Sequence, residues 1–355
     1  MRTGSLGSFW IFEGGEKQMK TKSKIKRPTP EMVELLRRTG SHNKDEAMAA
    51  MRALAGALEE PLRQGVLSGD ITGDIFAEEI LEPGAVPEYP LDFYQPGNED
   101  NFTAYTLPNE GTIPQKHISG DVVTVQTYDV GNSIDWLLKY SREARWNVVA
   151  RALEVMEAGF VKKLNRDGWH VIIAAGLGRG FIGYDNAATA GQFTKRLISV
   201  LKTLMRRNAG GNTSSTGRGR LTDLYLRPEA LEDIREWDNT EVDEVTRREI
   251  LQQGNEDVVL QQIYGVTLHT LDELGVNQEF QTYYEANGGT MATSDQEIVI
   301  GLDLSKNDAF VRPIKEELSI FEDPALHRRR RSGVYGWLEI GHACLDPRRV
   351  LVGSL

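Results

Sequence analysis

The chain has only one cysteine, Cys344, among its 355 residues. A single cysteine excludes an internal disulfide framework and any zinc site built from several cysteines. The six histidines are scattered and show no His-x-x-x-His or similar spacing, so we expect no metal site. Free cysteine is often buried in proteins, and we therefore interpret Cys344 as a small buried residue on a strand.

Long apolar runs are also missing. Crossing a bilayer takes about 18 consecutive apolar residues, and no stretch of the chain approaches that length. The apolar patch Phe9–Phe12 is followed at once by Glu13, which makes it too short for the core of a signal peptide. We therefore expect no membrane partner and a protein that is made and used in the cytoplasm. Residues 1–18, which precede Met19, leave two interpretations open, a leader or a start-site extension.

Positive charge is in short supply. The chain has 41 basic and 52 acidic residues, a net charge of -11, and a pI of about 5.2. An acidic chain is a poor candidate for wrapping nucleic acid, because phosphate contacts need a basic face. A net negative charge is compatible with a surface that faces DNA without binding it tightly. The only dense basic run, Arg328–Arg331, is either a solvated face or a contact with an acidic stretch of another subunit, such as Glu241–Glu244.

One glycine pattern, Gly178–Gly183, matches the dinucleotide fingerprint Gly-x-Gly-x-x-Gly. It follows Trp169–Ala175, an apolar run that predicts a strand. The fingerprint also needs a helix that starts at the glycines and an acidic residue about 20 positions on. Here Tyr184–Asn186 intervenes before the predicted helix, and residues 198–204 hold no acid. We therefore expect a glycine-rich turn near a subunit interface and no cofactor. No serine–histidine or carboxylate pair has a spacing that indicates catalysis, so we expect no enzyme.

The segment from Glu82 to Gly120 contains six of the chain's 13 prolines and has no helical period. An irregular stretch this long inside a compact domain is typical of an extended functional arm. Val122–Tyr128 then alternates like a returning strand, which predicts a long two-stranded excursion from the body. The candidate contacts with neighbouring subunits are the aromatic residues of this excursion and the basic run: Phe93, Tyr94, Phe102, Tyr105, Arg328, Arg329, Arg330 and Arg331.

Apolar spacing and turn residues elsewhere predict an α+β protein with largely antiparallel strand pairing. Helices are predicted at residues 31–38, 41–63, 133–167, 189–207, 228–237 and 244–253. Gly65 and Gly168 are placed to end the second and third of these helices. Strands are predicted at residues 169–175, 221–226, 263–269, 297–303, 310–320 and 333–345, with a last short strand after the turn at residues 346–347.

The order of these parts resembles that of the major capsid proteins of tailed bacteriophages, which share the Hong Kong phage fold. The resemblance covers about Leu54 to Leu355, and it depends on the order of the segments because no single motif is specific. The segments are a strand followed by a proline-led helix, a short strand with an aromatic-Gly-aliphatic step, two late strands, and the closing strands: residues 223–234, 263–268, 298–304 with 315–323, and 333–355.

This resemblance implies a division of the chain. Residues 1–82 would be an N-terminal arm and residues 83–131 an extended E-loop. Residues 132–170 would carry the spine helix of a peripheral P-domain. Residues 171–305 would hold most of an axial A-domain, and residues 306–355 the strands that return through the P/A body.

The function that the resemblance implies is that of a major capsid protein. Many copies, arranged as hexamers and pentamers, would close an icosahedral shell around double-stranded DNA without sequence-specific binding. A scaffolding protein, a portal and decoration proteins would be the other partners. The protein would be assembled in the host cytoplasm and reside in the virion capsid. Two alternatives remain: a cellular nanocompartment shell of the same fold, and a nucleotide-binding enzyme built on Gly178–Gly183.

Overall fold

The computed structural model of the chain describes residues 28–82, 84–90, 122–180, 182–208, 219–237, 260–291, 297–305 and 309–355. Its helices are α1 (Pro30–Thr39), α2 (Lys44–Gly69), α3 (Leu138–Arg142), α4 (Trp146–Leu177), α5 (Lys195–Asn208), α6 (Ala230–Glu236) and α7 (Glu279–Ala286). Its strands are β1 (Ala77–Ile80), β2 (Glu88–Pro90), β3 (Val122–Thr124), β4 (Tyr128–Leu137), β5 (Ile182–Gly183), β6 (Asp223–Leu226), β7 (Leu260–Ile263), β8 (Val266–Thr270), β9 (Ile298–Leu302), β10 (Phe310–Glu322), β11 (Arg331–Ile340), β12 (Ala343–Cys344) and β13 (Val350–Ser354). The mixed α+β class is as predicted.

Helices α1 and α2 begin at capping residues that the sequence provides. The Thr29 hydroxyl accepts the N–H of Met32 at 3.3 Å, ahead of a proline in the first turn. The Asn43 side chain accepts the N–H of Asp45 at 3.1 Å. The prediction that α2 ends near residue 63 was wrong. Gly65 lies inside the helix, where an added Cβ would come within 2.4 Å of the Glu157 side chain, so this glycine permits close contact with α4.

Helix α4 is the largest correction to the sequence prediction. The predicted helix at 133–167 begins instead at Trp146, because residues before it form β4 and α3. The predicted strand at 169–175 is part of the same helix, and Gly168 does not end it. Trp169, Ile172 and Ile173 are buried at helical spacing, which places the apolar run against the core. Packing therefore overrides the strand preference of a Val/Ile-rich run.

The first sheet has the order β1-β10-β11-β4, and β12 also pairs with β10. Strands β11 and β4 are antiparallel over their whole length, from Arg331 opposite Leu137 to Ile340 opposite Tyr128. The first core lies between α2, α4 and one face of this sheet, and it includes Leu58, Leu153, Phe160, Ile320 and Val334.

The second sheet has the order β5-β13-β9-β6-β8-β7 and is covered on both faces. Successive side chains of β6 point to opposite faces of the sheet, so Leu224 and Leu226 belong to the core on one face and Tyr225 to the core on the other. The core with Leu224 is built with α5 and α6, through residues such as Leu201 and Ile234. The core with Tyr225 is built with the C-terminal half of α4 and with α7, through residues such as Trp169 and Phe280.

Several shorter predictions are also refined. Residues 122–128 form β3 and the start of β4, not one strand, and β3 pairs antiparallel with β2. The predicted strand at 263–269 is a hairpin, with β7 and β8 joined at Tyr264 and Gly265. Helix α7 was not predicted. The predicted helix at 244–253 lies outside the described residues.

Candidate assembly surfaces

The four aromatic candidates, Phe93, Tyr94, Phe102 and Tyr105, lie outside the described residues. The structure describes the two strands that flank the segment containing them, and Pro90 of β2 pairs with Val122 of β3. We call this pair of strands the base of the segment. Three apolar residues in or close in sequence to these strands are exposed: Ile80 is 68% exposed, Val86 58% and Val122 56%. Apolar residues left in water at the base of a long insertion are typical of a surface that another chain covers.

The basic run Arg328–Arg331 joins β10 to β11 at one end of the first sheet, and all four residues are exposed. Its backbone is fixed, because the carbonyl of Arg330 accepts the N–H of Leu138 at 3.0 Å. The Arg331 guanidinium lies 2.7 Å from the Asp135 carboxylate. An exposed pair of this kind adds little stability. The run is therefore an ordered and exposed basic edge of the first sheet.

An aromatic stripe that the sequence analysis missed lies on the outer face of the first sheet. Phe321 and Trp337 stack with ring centroids 4.6 Å apart, and Tyr335 lies 5.6 Å from Trp337. These side chains point away from the first core, since their neighbours Val334 and Leu338 are the buried residues of β11. A signal was present in the sequence: apolar residues on both faces of a strand indicate that both faces are covered. Aromatic and arginine side chains are the types enriched in protein interfaces.

The glycine pattern Gly178–Gly183 does not have the structure of a dinucleotide site. It follows helix α4, not a strand, and the next described helix, α5, begins only at Lys195. Gly180 has a φ of 65°, which suits a glycine turn. Gly183 instead permits close packing, because a Cβ there would come within 2.5 Å of Leu201. The strand–glycine–helix arrangement that would hold a pyrophosphate is not formed here.

Cys344 lies on a strand, as predicted, but the predicted strand 333–345 is divided into β11 and β12. The Cys344 side chain is partly buried and packs against the core that contains Tyr225. Burial raises the pKa of its thiol to about 12, so the thiol stays protonated and unreactive. Within the described ranges, no group of three or more histidine, cysteine or acidic side chains could hold a metal ion. In the same ranges, no helix has the length and apolar character needed to cross a bilayer.

A buried polar network joins the end of helix α2 to the first sheet. Its centre is Arg312 of β10, which is 2% exposed. The guanidinium donates to the carboxylate of Asp70, the residue that ends α2, and to the Thr72 hydroxyl at 2.5 Å. It also lies 3.3 Å from Glu78 of β1. A buried arginine costs stability unless it is paired, and these contacts supply the pairing.

The network continues from Arg312 through His342. Because the Arg312 Nε–H donates to His342 Nε2 at 3.1 Å, the neutral ring carries its proton on Nδ1. That proton points to the Tyr128 hydroxyl oxygen, 3.1 Å away, and the Tyr128 hydroxyl donates to Asp167 of α4 at 2.7 Å. Burial and, to a smaller extent, the charge of Arg312 lower the pKa of His342 to about 4, against the opposite effects of Asp167 and Asp70. The network holds elements together and leaves His342 uncharged.

We predict that this histidine makes the subunit lose stability in acid. The unfolded chain binds a proton at His342 below its ordinary pKa of about 6.5, whereas the folded chain does so only near pH 4. The contribution is therefore complete above pH 6.5 and is lost as the pH falls to about 4, by roughly 3 kcal/mol. Urea unfolding of the wild type and of His342→Gln at about pH 7, 5.5 and 4.5 measures it.

The substitution is expected to remove that part of the acid sensitivity. His42 is exposed, so His42→Gln serves as the matched control and should leave the pH profile unchanged. Parallel profiles for the wild type and His342→Gln would contradict the assignment.

Comparisons with known proteins give a result at the level of structure only. No protein-family model and no curated protein sequence matches the chain. The "Capsid structure of the Cyanophage P-SCSP1u" is 11% identical, covers 80% of this chain and 87% of its own, and superposes with a TM-score of 0.52. A structure from Microbacterium phage Oxtober96 is 11% identical, covers 81% of this chain and 90% of its own, and has a TM-score of 0.51.

A virus-like particle from Pyrococcus furiosus also matches, at 10% identity over 83% of this chain and 98% of its own, with a TM-score of 0.40. The superpositions on the two phage structures include most of each chain, so the likeness is one of the whole fold and not of a single segment. Both phage structures lie far below the identity at which sequence alone would relate them. The chain therefore has the Hong Kong phage capsid fold that its sequence resembles.

Proposed function

We propose that the chain is a major capsid protein whose copies close an icosahedral shell around double-stranded DNA. The observation that supports this most is the superposition on a phage capsid structure over four fifths of the chain. The surfaces fit the role: an ordered basic edge, a surface aromatic stripe and an exposed apolar base beneath the proline-rich segment. Their energy would be spread over many contacts, because large obligate interfaces bury more than about 2,000 Å².

The proposed functional units are those of the fold family. Residues 1–82 act as an N-terminal arm, 83–131 as the E-loop, 132–170 as the spine region of the P-domain, 171–305 mostly as the A-domain, and 306–355 as returning strands. The long helix α4 extends to Leu177, so it crosses the proposed boundary at residue 170. The E-loop and the N-terminal arm of each copy would overlap neighbours.

The proposed partners follow from this role. Copies of the chain form hexamers and pentamers, and a scaffolding protein, a portal and decoration proteins complete the particle. DNA is enclosed without sequence-specific binding, in line with the net charge of -11. The protein is assembled in the host cytoplasm, resides in the virion capsid and has no catalytic role of its own.

The mass and contents of purified particles test this function. Sedimentation should give particles of many times the subunit mass of 39.7 kDa, and particles from infected cells should contain nuclease-protected DNA. Protein cargo in place of DNA would identify a cellular nanocompartment. A monomer that binds a stoichiometric nucleotide under all conditions would contradict the capsid function.

A further inference from the structure

Helix α5 and the residues after it concentrate positive charge in a chain that is otherwise acidic. Between residues 195 and 221 there are seven basic residues and no acidic one: Lys195, Arg196, Lys202, Arg206, Arg207, Arg218 and Arg220. The apolar residues of α5, such as Leu201 and Met205, are buried in the core beneath the second sheet. The charged positions therefore lie on the outer face of the helix.

This face forms one wall of a surface groove with a volume of about 840 Å³, closed on its other side by residues 219–221 and the turn between β7 and β8. Lys202 ties the two walls together, because its ammonium donates to the carbonyl of Tyr264 at 2.5 Å. Arg206 and Arg220 are exposed in the same groove. At the N-terminal end of α5 the positive charge has a partner, because the Arg196 guanidinium lies 3.5 Å from the Asp185 carboxylate. Among the described residues, no ion pair joins Lys202, Arg206 or Arg220 to an acidic side chain.

Tyr264 at the rim of the groove is held in an unfavourable conformation. It has a φ of 52° and Gly265 a φ of 72°, as a two-residue hairpin turn of type I′ requires. Asparagine or glycine is preferred at the first of these positions, and a bulky residue there is strained. The residue is 59% exposed. An aromatic side chain presented to solvent at the cost of strain, beside arginines, has the composition of a binding surface.

The complementary charge is in the same chain. Residues 229–244 contain eight acidic residues and one basic residue. Helix α6, at the start of this segment, packs in the same core as α5 and exposes Glu229 and Glu236. A single copy therefore carries a basic groove along α5 and, at helix α6 of the same core, exposed acidic residues. Two different patches that match across copies make a head-to-tail contact, which closes into a ring when the rotation permits.

We propose that the groove formed by Lys202, Arg206, Arg220 and Tyr264 binds the acidic segment 229–244 of a second copy of the chain. The contact deepens the proposed capsid function, because it supplies a heterologous interface of the kind that a ring of subunits needs. Charge complementarity favours this occupant: the acidic segment belongs to every copy and is present at the same concentration as the groove.

Charge reversal tests the pairing. Arg206→Glu with Arg220→Glu should lower the subunit association constant about tenfold or more, measured by sedimentation velocity at moderate salt. Glu229→Arg with Glu236→Arg should do the same. All four substitutions in one chain restore complementarity in every contact and should return association to within a few fold of the wild type. Unchanged circular dichroism confirms that each variant is folded.

The matched control separates pairing from net charge. Asp272 and Glu273 are exposed just before α7, in the other helical layer of the second sheet. Combining Arg206→Glu and Arg220→Glu with Asp272→Arg and Glu273→Arg restores the net charge without restoring the pair, and should not restore association. The decisive variant carries all four substitutions of the pair, Arg206→Glu, Arg220→Glu, Glu229→Arg and Glu236→Arg. If this variant does not regain association although the wild type associates, the groove pairing is wrong and the capsid function stands.

Two other outcomes are decisive. A wild type that stays monomeric at all concentrations overturns the capsid function and the pairing together. If Arg206→Glu with Arg220→Glu leaves association unchanged but lowers retention of a DNA oligonucleotide, the groove is a phosphate-binding site and the proposed protein contact is overturned.

Discussion

Deletion of residues 93–116 is expected to leave a folded subunit that forms no closed shells. The two ends of the segment meet in the structure, since Pro90 pairs with Val122. Residues 91–92 and 117–121 can close a short loop between them, and a shorter loop costs no extra closure entropy. The segment is rich in proline and its sequence has no helical period, so the body should lose little buried apolar surface. Stability of the subunit should therefore change by less than about 1 kcal/mol.

Loss of shells follows because the deletion removes Phe93, Tyr94, Phe102 and Tyr105, the proposed contacts of the E-loop with its neighbours. Thermal unfolding checks the subunit, and negative-stain microscopy checks the shells. The matched control is a variant in which residues 93–116 are replaced by a Gly/Ser segment of equal length. This variant should also form no shells, because it lacks the side chains that make the proposed contacts. Normal shells from the deletion variant would show that the segment is not an intersubunit arm.

Substitution of Arg312 by methionine is expected to destabilise the subunit by roughly 3–5 kcal/mol, because it leaves a buried charge without its partner. Asp70 is 8% exposed, and with Thr72 it receives the guanidinium at the end of α2. The same change detaches His342 from its donor. Since α2, β1 and β10 meet at this arginine, the loss should appear as a lower free energy of unfolding in urea and not as a local change.

The chain offers a matched control for this prediction. Arg331 forms a similar ion pair with Asp135 at 2.7 Å, but its side chain is 50% exposed. Arg331→Met should cost less than about 1 kcal/mol, as exposed pairs do. Asp70→Asn combined with Arg312→Met should cost less than the sum of the two single changes, because the two groups share one network. Equal costs for Arg312→Met and Arg331→Met would show that the buried network is not a main source of stability.

The sequence predicted those elements whose local signals and packing agree. Helix α1 has a threonine cap and a following proline, and its predicted bounds differ from the observed ones by about one residue at each end. Strands β6, β9 and β10 also lie where apolar runs indicated. These successes made the fold recognisable, since their order along the chain is what the capsid resemblance depends on.

The failures have a common physical cause, which is packing against elements distant in the chain. Gly65 and Gly168 are usual helix-ending residues, yet each lies within a helix because another segment approaches closely: Glu157 in the first case and Thr72 in the second. The run at 169–175 resembles a strand because both its faces are apolar, but one face packs beneath the second sheet. Local propensity does not contain this information.

The candidate surfaces were harder to predict than the fold. The basic run was visible because its four arginines are adjacent in sequence. The aromatic stripe and the groove were not, because Phe321 and Trp337, or Lys202 and Tyr264, come together only through strand pairing and helix packing. The buried network was also hidden, since Asp70, Arg312 and His342 are spread over most of the chain.

Cryo-electron microscopy of the purified protein tests the central claim most directly. The capsid function predicts closed icosahedral particles whose reconstruction fits this fold in every subunit, with residues 83–131 of one copy lying across the next. A field that contains only monomers or small soluble oligomers, under conditions in which the chain is folded, would contradict it.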